Sequence, residues 1–168
     1  DDDRPLTINN LTVNEGSPYA TFTVTGNANQ YVKLALGNTA STSDIDATLG
    51  TDTGTQLQYY NGTAWVDYTA GTFVKIPNAD GTLQVRTTIV NDTLSDNNET
   101  FTLTATNTNL SDAIGTATIK DDGTGSLYSV NNTTGTPDAL SSQTDLPSVL
   151  NDDRPLTINN LTVNEGSA

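Results

Sequence analysis

Cysteine, histidine and methionine are all absent from the 168 residues. No cysteine means no disulfide and no thiol nucleophile. No histidine removes the imidazole base, and with it the usual zinc and haem ligand sets. Cationic side chains are scarce too. Six Lys and Arg stand against 20 Asp and Glu, a net charge of −14 that opposes nucleic acid and anionic membranes and favours cations as partners. With one Trp and 33% hydrophobic residues the chain can bury one modest core, so one domain plus connecting material is expected. No apolar run approaches the length of a membrane span, so membrane insertion is not expected. The lack of an initiator Met or signal segment implies an excerpt from something longer. Paired carboxylates are the main catalytic chemistry left, and these acids fall in turn contexts rather than apolar ones, so no enzyme is expected.

Against these absences stands a duplication. Residues 2–17 read DDRPLTINNLTVNEGS, and residues 152–167 repeat that block without a change, 150 positions on. Self-similarity at a long fixed period indicates a tandem array, and this period suits a whole domain rather than a small solenoid unit. The expected division is a repeat module over 1–122, an ordered inter-repeat connector over 123–151 and the first strand of the next repeat over 152–168. The connector is rich in Gly, Ser, Thr, Asn and Pro, and Thr136-Pro137-Asp138 could open one helical turn. Short apolar clusters lie at 127–130 and 146–150.

Strand patterns dominate the module. Alternation with period two runs through 19–26, 83–90, 100–106 and 115–120, and further strands are expected at 6–13, 31–36, 56–60, 64–68 and 73–76. Asn61-Gly62 suits a type I′ turn and predicts a tight hairpin over 56–68. Short strands punctuated by Gly, Asn and Asp, with no amphipathic helix, predict an all-β fold, an antiparallel Ig-like sandwich of about seven to nine strands. Outward rows at Thr21, Thr23, Thr25 and Thr100, Thr102, Thr104 read as solvated strand faces.

Three segments together resemble a Calx-β module. They are Val13-Asn14-Glu15-Gly16, then Ile89-Val90-Asn91-Asp92 leading through Asp96 to Glu99-Thr100-Phe101, then the stretch from Gly115 to Asp122. The hairpin with Tyr59, Gly62 and Trp65, and the DDGTG string at 121–125, more narrowly resemble the Ig-like repeats of giant type I-secreted, RTX-type bacterial adhesins. The resemblance implies an extracellular location, at the bacterial cell surface or secreted, and a stalk with calcium bound near module ends. Its ligand pattern, carried onto this chain, falls on Glu15, Asp44 or Asp46, Asp92, Asp96, Glu99, Asp121 and Asp122. The acidic run between Asp92 and Glu99 is diluted by Asn and Thr, which implies weak calcium binding or none.

Asp2, Asp3, Asp152 and Asp153 sit at the module junctions, where a metal could lock one bead to the next, or Arg4 and Arg154 could pair with them instead. Tyr59, Tyr60, Trp65 and Tyr68 cluster on the hairpin and offer a sugar-stacking site, but a lone Trp is expected to plug the core. The expected role is a structural extender repeat of a large surface adhesin or filament, supporting cell adhesion and biofilm formation, with neighbouring copies of the repeat as partners. The competing expectations are a filament subunit joined by strand exchange through 152–167, and a carbohydrate-binding module. Residues 156–163 are accordingly expected to be held against the connector or by another chain.

Overall fold

The computed structural model describes residues 2–39, 45–77, 79–96, 98–139 and 150–166. Asp44 and the apolar stretch 146–149 lie outside them. Among the described residues are eleven strands: β1 Thr7–Ile8, β2 Leu11–Asn14, β3 Tyr19–Thr25, β4 Tyr31–Gly37, β5 Ile45–Asp46, β6 Gln58–Tyr60, β7 Trp65–Asp67, β8 Val74–Lys75, β9 Thr82–Thr88, β10 Glu99–Asn107 and β11 Asp112–Lys120. They form two sheets, ordered β1-β3-β9-β6-β7 and β2-β11-β10-β4-β8, with β5 beside β10. The protein is an all-β sandwich, antiparallel except that β2 runs parallel to β11 and β5 parallel to β10.

The alternating patterns explain the interior. Inward residues of β3 and β9 (Ala20, Phe22, Val24, Leu83, Val85) meet those of β10 and β11 (Phe101, Leu103, Ala117, Ile119). Phe22 and Phe101 join the sheets edge to face, with ring centroids 5.9 Å apart at 83°. Tyr68 enters the same core, its hydroxyl accepting from Leu34 N–H at 3.0 Å and donating to Thr72 O at 2.7 Å.

The expected first strand over 6–13 is two strands on different sheets. Thr7 and Ile8 pair with β3, whereas residues 11–14 pair with β11. The crossing occurs at two asparagines whose side chains complete the ladders the backbone leaves. Asn9 Oδ1 accepts from Thr23 N–H at 2.7 Å and Asn10 Oδ1 from Thr116 N–H at 2.9 Å. The hairpin forms, but its loop has four residues, 61–64, rather than two. Asn61 Oδ1 accepts from Thr63 and Ala64 N–H, and Gly62 has φ 95° while Asn61 keeps a negative φ, so a type I′ turn is excluded.

Trp65 does not plug the core. It lies half-buried on the outer face of its sheet, where the Arg86 guanidinium stacks 4.0 Å from the Trp65 ring and 3.8 Å from Tyr19. Apart from exposed Thr25, that face is not solvated either, because residues 126–138 fold back over β3 and β9. Ser126 bridges to Val13, Arg86 donates to Val130 O at 2.8 Å, and Tyr128 is buried. Thr21 is fully enclosed there. Gly135 lies so close that an added Cβ would sit 2.5 Å from Thr23 Oγ1 and 2.6 Å from Gln84 Oε1. On the other sheet Thr100 and Thr102 are buried as well, with Thr39 and Asn38 O against their hydroxyls. No helical turn forms at Thr136-Pro137. Asp138 instead closes a loop, its carboxylate accepting from Ser129 N–H and Asn132 Nδ2 while its N–H donates to Leu127 O.

Residues 156–163 do not lie against the described part of the connector; all are exposed and in no strand. Among the described residues, the second copy meets the module at its start, where Asp152 bridges to Asp122, Asp153 reaches Asp121 and Arg154 reaches Asp122 O.

Because the Tyr128 ring is enclosed by the sandwich, Tyr128→Ala should destabilise the fold by about 3 kcal/mol, measured by urea unfolding. A loss below about 0.5 kcal/mol would show that residues 126–138 are not part of the cooperative unit.

Candidate metal centre at the module junction

Strand polarity gathers the acids at one end. β2 and β11 both end there, β10 begins there, and Asp52 reaches it from the turn at 48–54, which bridges to Ile89. Glu15 follows β2, Asp96 precedes β10, Glu99 opens β10, and Asp121 follows β11. Among the described residues two groups result, Glu15 with Asp96 and Asp121, and Asp52 with Asp96 and Glu99, each offering three carboxylate oxygens within 4.8 Å of one another. Asp96 belongs to both.

Burial makes this arrangement costly. Glu15 is 4% exposed and Asp121 1% exposed. One oxygen of Glu15 accepts from Asp92 N–H at 2.9 Å, while Oε2 is enclosed without a hydrogen-bond partner among the described residues. An unsatisfied buried carboxylate oxygen costs a few kcal/mol, which a proton or a cation can relieve. Burial, with the charges of Asp121, Asp96 and Asp92, pushes the Glu15 carboxyl up to about 7 against the Asp92 hydrogen bond. Burial, then Asp52 and Asp96, push Glu99 up to about 7. Asp96 is raised by burial and by Asp92, Asp52 and Asp121. Oxygen-only donors with shared carboxylates suit a hard divalent cation such as calcium, which takes six to eight oxygens.

The start of the second repeat copy closes this end. Asp153 N–H donates to Asp121 Oδ1 at 3.0 Å, and Arg154 Nη2 donates to Asp122 O at 2.9 Å. Fully buried Asn14 ties the junction together: its Nδ2 donates to Thr124 O and Asn151 O, and its Oδ1 accepts from Asn151 N–H at 2.8 Å. Asn151 Oδ1 and Asp153 Oδ2 are enclosed with no hydrogen-bond partner among the described residues.

Of the residues singled out by sequence, Glu15, Asp96, Glu99 and Asp121 converge. Asp92 lies beside them but turns its carboxylate to Leu94 N–H, and Asp122 turns to Thr124. Asp46 is outside both groups, accepting from Thr39 N–H and Oγ1. Asp152 pairs with Arg154 at 2.7 Å, as Asp2 does with Arg4, and the Arg4 hydrogen bond holds the Asp2 carboxyl down at about 2. Asp3 is exposed. Asp2 and Asp3 belong to the opposite pole, because Arg4 O accepts from Gln30 Nε2 and from Asn107 at the far end of β10. Along β10 that separation is roughly 26 Å. Sequence reading missed Asp52, Asn14 and Asn151. Asp52 looks like any turn aspartate until tertiary pairing brings its turn beside Ile89.

The aromatic cluster disperses. Tyr68 is in the core, Tyr59 packs against it, and Tyr60 leans on Trp65 with centroids 5.6 Å apart. Arg86 takes one Trp65 face. Comparison with protein-family models and with curated proteins found no match to this chain.

Glu15 and Glu99 are raised from 4.5 to about 7, so the folded protein binds more protons than the unfolded chain between those values. That stabilisation is complete below 4.5 and is lost as the pH rises through 7. In chelator, the melting temperature should therefore fall by a few °C between about pH 5 and pH 8. The Glu15→Gln Glu99→Gln double variant should flatten that fall; equal slopes in variant and parent would refute the assignment.

Proposed function

We propose that this chain is a structural extender repeat of a large extracellular bacterial adhesin or surface filament, joined head to tail and stiffened by calcium at each junction. One observation carries the reading: Asp153 of the second copy rests on Asp121 at the acidic pole, while its counterpart Asp3 belongs to the opposite pole. A repeat whose second copy starts at the far end of the first builds a line of modules. On this reading Asp3 waits for the acidic pole of a preceding module as Asp153 uses this one.

The net charge of −14 makes such a line self-repelling, and a divalent ion at each contact would neutralise the local acids and hold adjacent modules in one orientation. Glu15, Asp96 and Asp121 would hold one ion, Asp52 and Glu99 a second through shared Asp96, with Asp153 and Asn151 supplying oxygen from the junction. A cysteine-free, acidic, Thr- and Asn-rich chain and the adhesin-like motifs support placement outside the cell and a role in surface adhesion and biofilm formation.

Calcium titration followed by thermal melting tests this. At a hundredfold excess over Kd the native state gains about 2.7 kcal/mol, or roughly 5–10 °C. Glu15→Gln should raise the melting temperature in chelator at pH 7.5 and lose the calcium gain, and Asp153→Ala should lose part of that gain. An unchanged melting temperature at millimolar calcium would rule out the metal.

A further inference from the structure

Both poles of the module expose aliphatic side chains. At the acidic pole the loop between β9 and β10 presents Val90 at 40% and Leu94 at 65% exposure. At the opposite pole the β10–β11 turn presents Leu110, which at 75% is the most exposed large apolar side chain among the described residues before the junction. Leu110 also has φ 63°, a left-handed conformation that suits Gly or Asn and that a bulky side chain adopts only at a cost. The turn around it is well tied: Asn107 Oδ1 accepts from Asn109 and Ser111 N–H, and Leu110 N–H donates to Asn107 O. A strained leucine is thus held out on a fixed turn, where it gives its own module little packing.

The junction shows where that turn stands in a second copy. Asp152 and Arg154 repeat the pairing of Asp2 and Arg4, with Nε to Oδ1 at 2.8 Å and Nη2 to Oδ2 at 2.7 Å in both. The chain therefore enters a second module in the conformation with which it enters the first. In the first, Arg4 O accepts from Asn107 Nδ2 at 3.4 Å, which sets the 107–111 turn beside residue 4. At the junction, Arg154 Nη2 donates to Asp122 O at 2.9 Å, and Asn151 Nδ2 donates at 2.6 Å to Asn91 Oδ1, within the loop that carries Val90 and Leu94. A module built on Arg154 brings its own 107–111 turn to this acidic pole, next to that loop.

We propose that Leu110 of one module packs on Val90 and Leu94 of the module before it, an apolar latch beside the carboxylates. The inference rests on the tandem-array reading and adds to it what the carboxylates lack. An ion at the junction relieves repulsion there, whereas an apolar contact to one side of it fixes the rotation of one module on the next. The covalent junction holds the two surfaces at high effective concentration, so three side chains suffice where free modules would not associate.

The test uses a chain of two periods, residues 1–151 followed by residues 2–168, and the absence of native cysteine. With Leu94→Cys or Val90→Cys in the first module and Leu110→Cys in the second, oxidation in millimolar calcium at micromolar protein should trap a disulfide within one chain, read by mobility on a non-reducing gel. Val130→Cys in the second module, in place of Leu110→Cys, should trap none, because Val130 lies by Arg86 on the sheet face. No disulfide to residue 110 from either partner, or equal trapping at residue 130, would overturn the latch. If calcium still lengthens and narrows the distance distribution of the parent chain in X-ray scattering, the array reading survives that failure; if it does not, both fall. Leu110→Gly gives a second readout. It should raise the melting temperature of the 168-residue chain by relieving the backbone, yet broaden the intermodule distances of the two-period chain in calcium. A lowered melt would show that Leu110 serves its own module, and would also overturn the proposal.

Discussion

Glu15 holds a carboxylate between two opposing demands. Its Oε1 accepts the Asp92 amide at 2.9 Å, which favours charge, while burial and the nearby Asp96, Asp121 and Asp92 oppose it. The rest of the acidic pole inherits that tension. Asp96 stands between Glu15 and the second group, so any cation or proton that relieves one side alters the field on the other. The surrounding fold supplies the rigidity that keeps the acids together: β2, β10 and β11 are laddered side by side, and Glu15 N–H donates to Lys120 O at 2.8 Å. Chains of like charge held this close persist only because the sandwich core fixes their strands.

The same geometry ties the repeat boundary to the site. Asn14 is buried, precedes Glu15 and bonds to Asn151, so the side chain that ends the first copy's strand also receives the start of the second. Asp152 and Arg154 pair with each other as Asp2 and Arg4 do, a local staple needing no neighbour. Asp153, between them, is the residue that turns toward Asp121. On the proposed reading the block's own internal pairing leaves one carboxylate per junction for the intermodule contact.

Much of the sandwich could be read from alternation. In β3, β9, β10 and β11 one face carries an apolar run (Ala20, Phe22 and Val24; Leu83 and Val85; Phe101, Leu103 and Ala105; Ala117 and Ile119), and period two leaves little freedom of register. What could not be read is nonlocal. The split of the first strand depends on Asn9 and Asn10 meeting Thr23 and Thr116, and the burial of Thr21 on residues 126–138 lying over β3. Trp65 looked like the core plug by size, yet Arg86 and Tyr19 give it a stacked position outside while Tyr68 takes the interior. At the site, Glu15, Asp96, Glu99 and Asp121 were legible because each ends or begins a strand at one pole. Asp52 was not, since its membership arises only from the contact of its turn with Ile89 and Val90.

A line of modules whose contacts are made by carboxylates should change stiffness with the cation that binds them. Small-angle X-ray scattering of a chain two periods long, in millimolar calcium and in chelator, measures this directly. The account predicts a longer maximum dimension in calcium, with one well-resolved intermodule distance, and a broader, shorter distribution in chelator. Superimposable curves in the two conditions would contradict it.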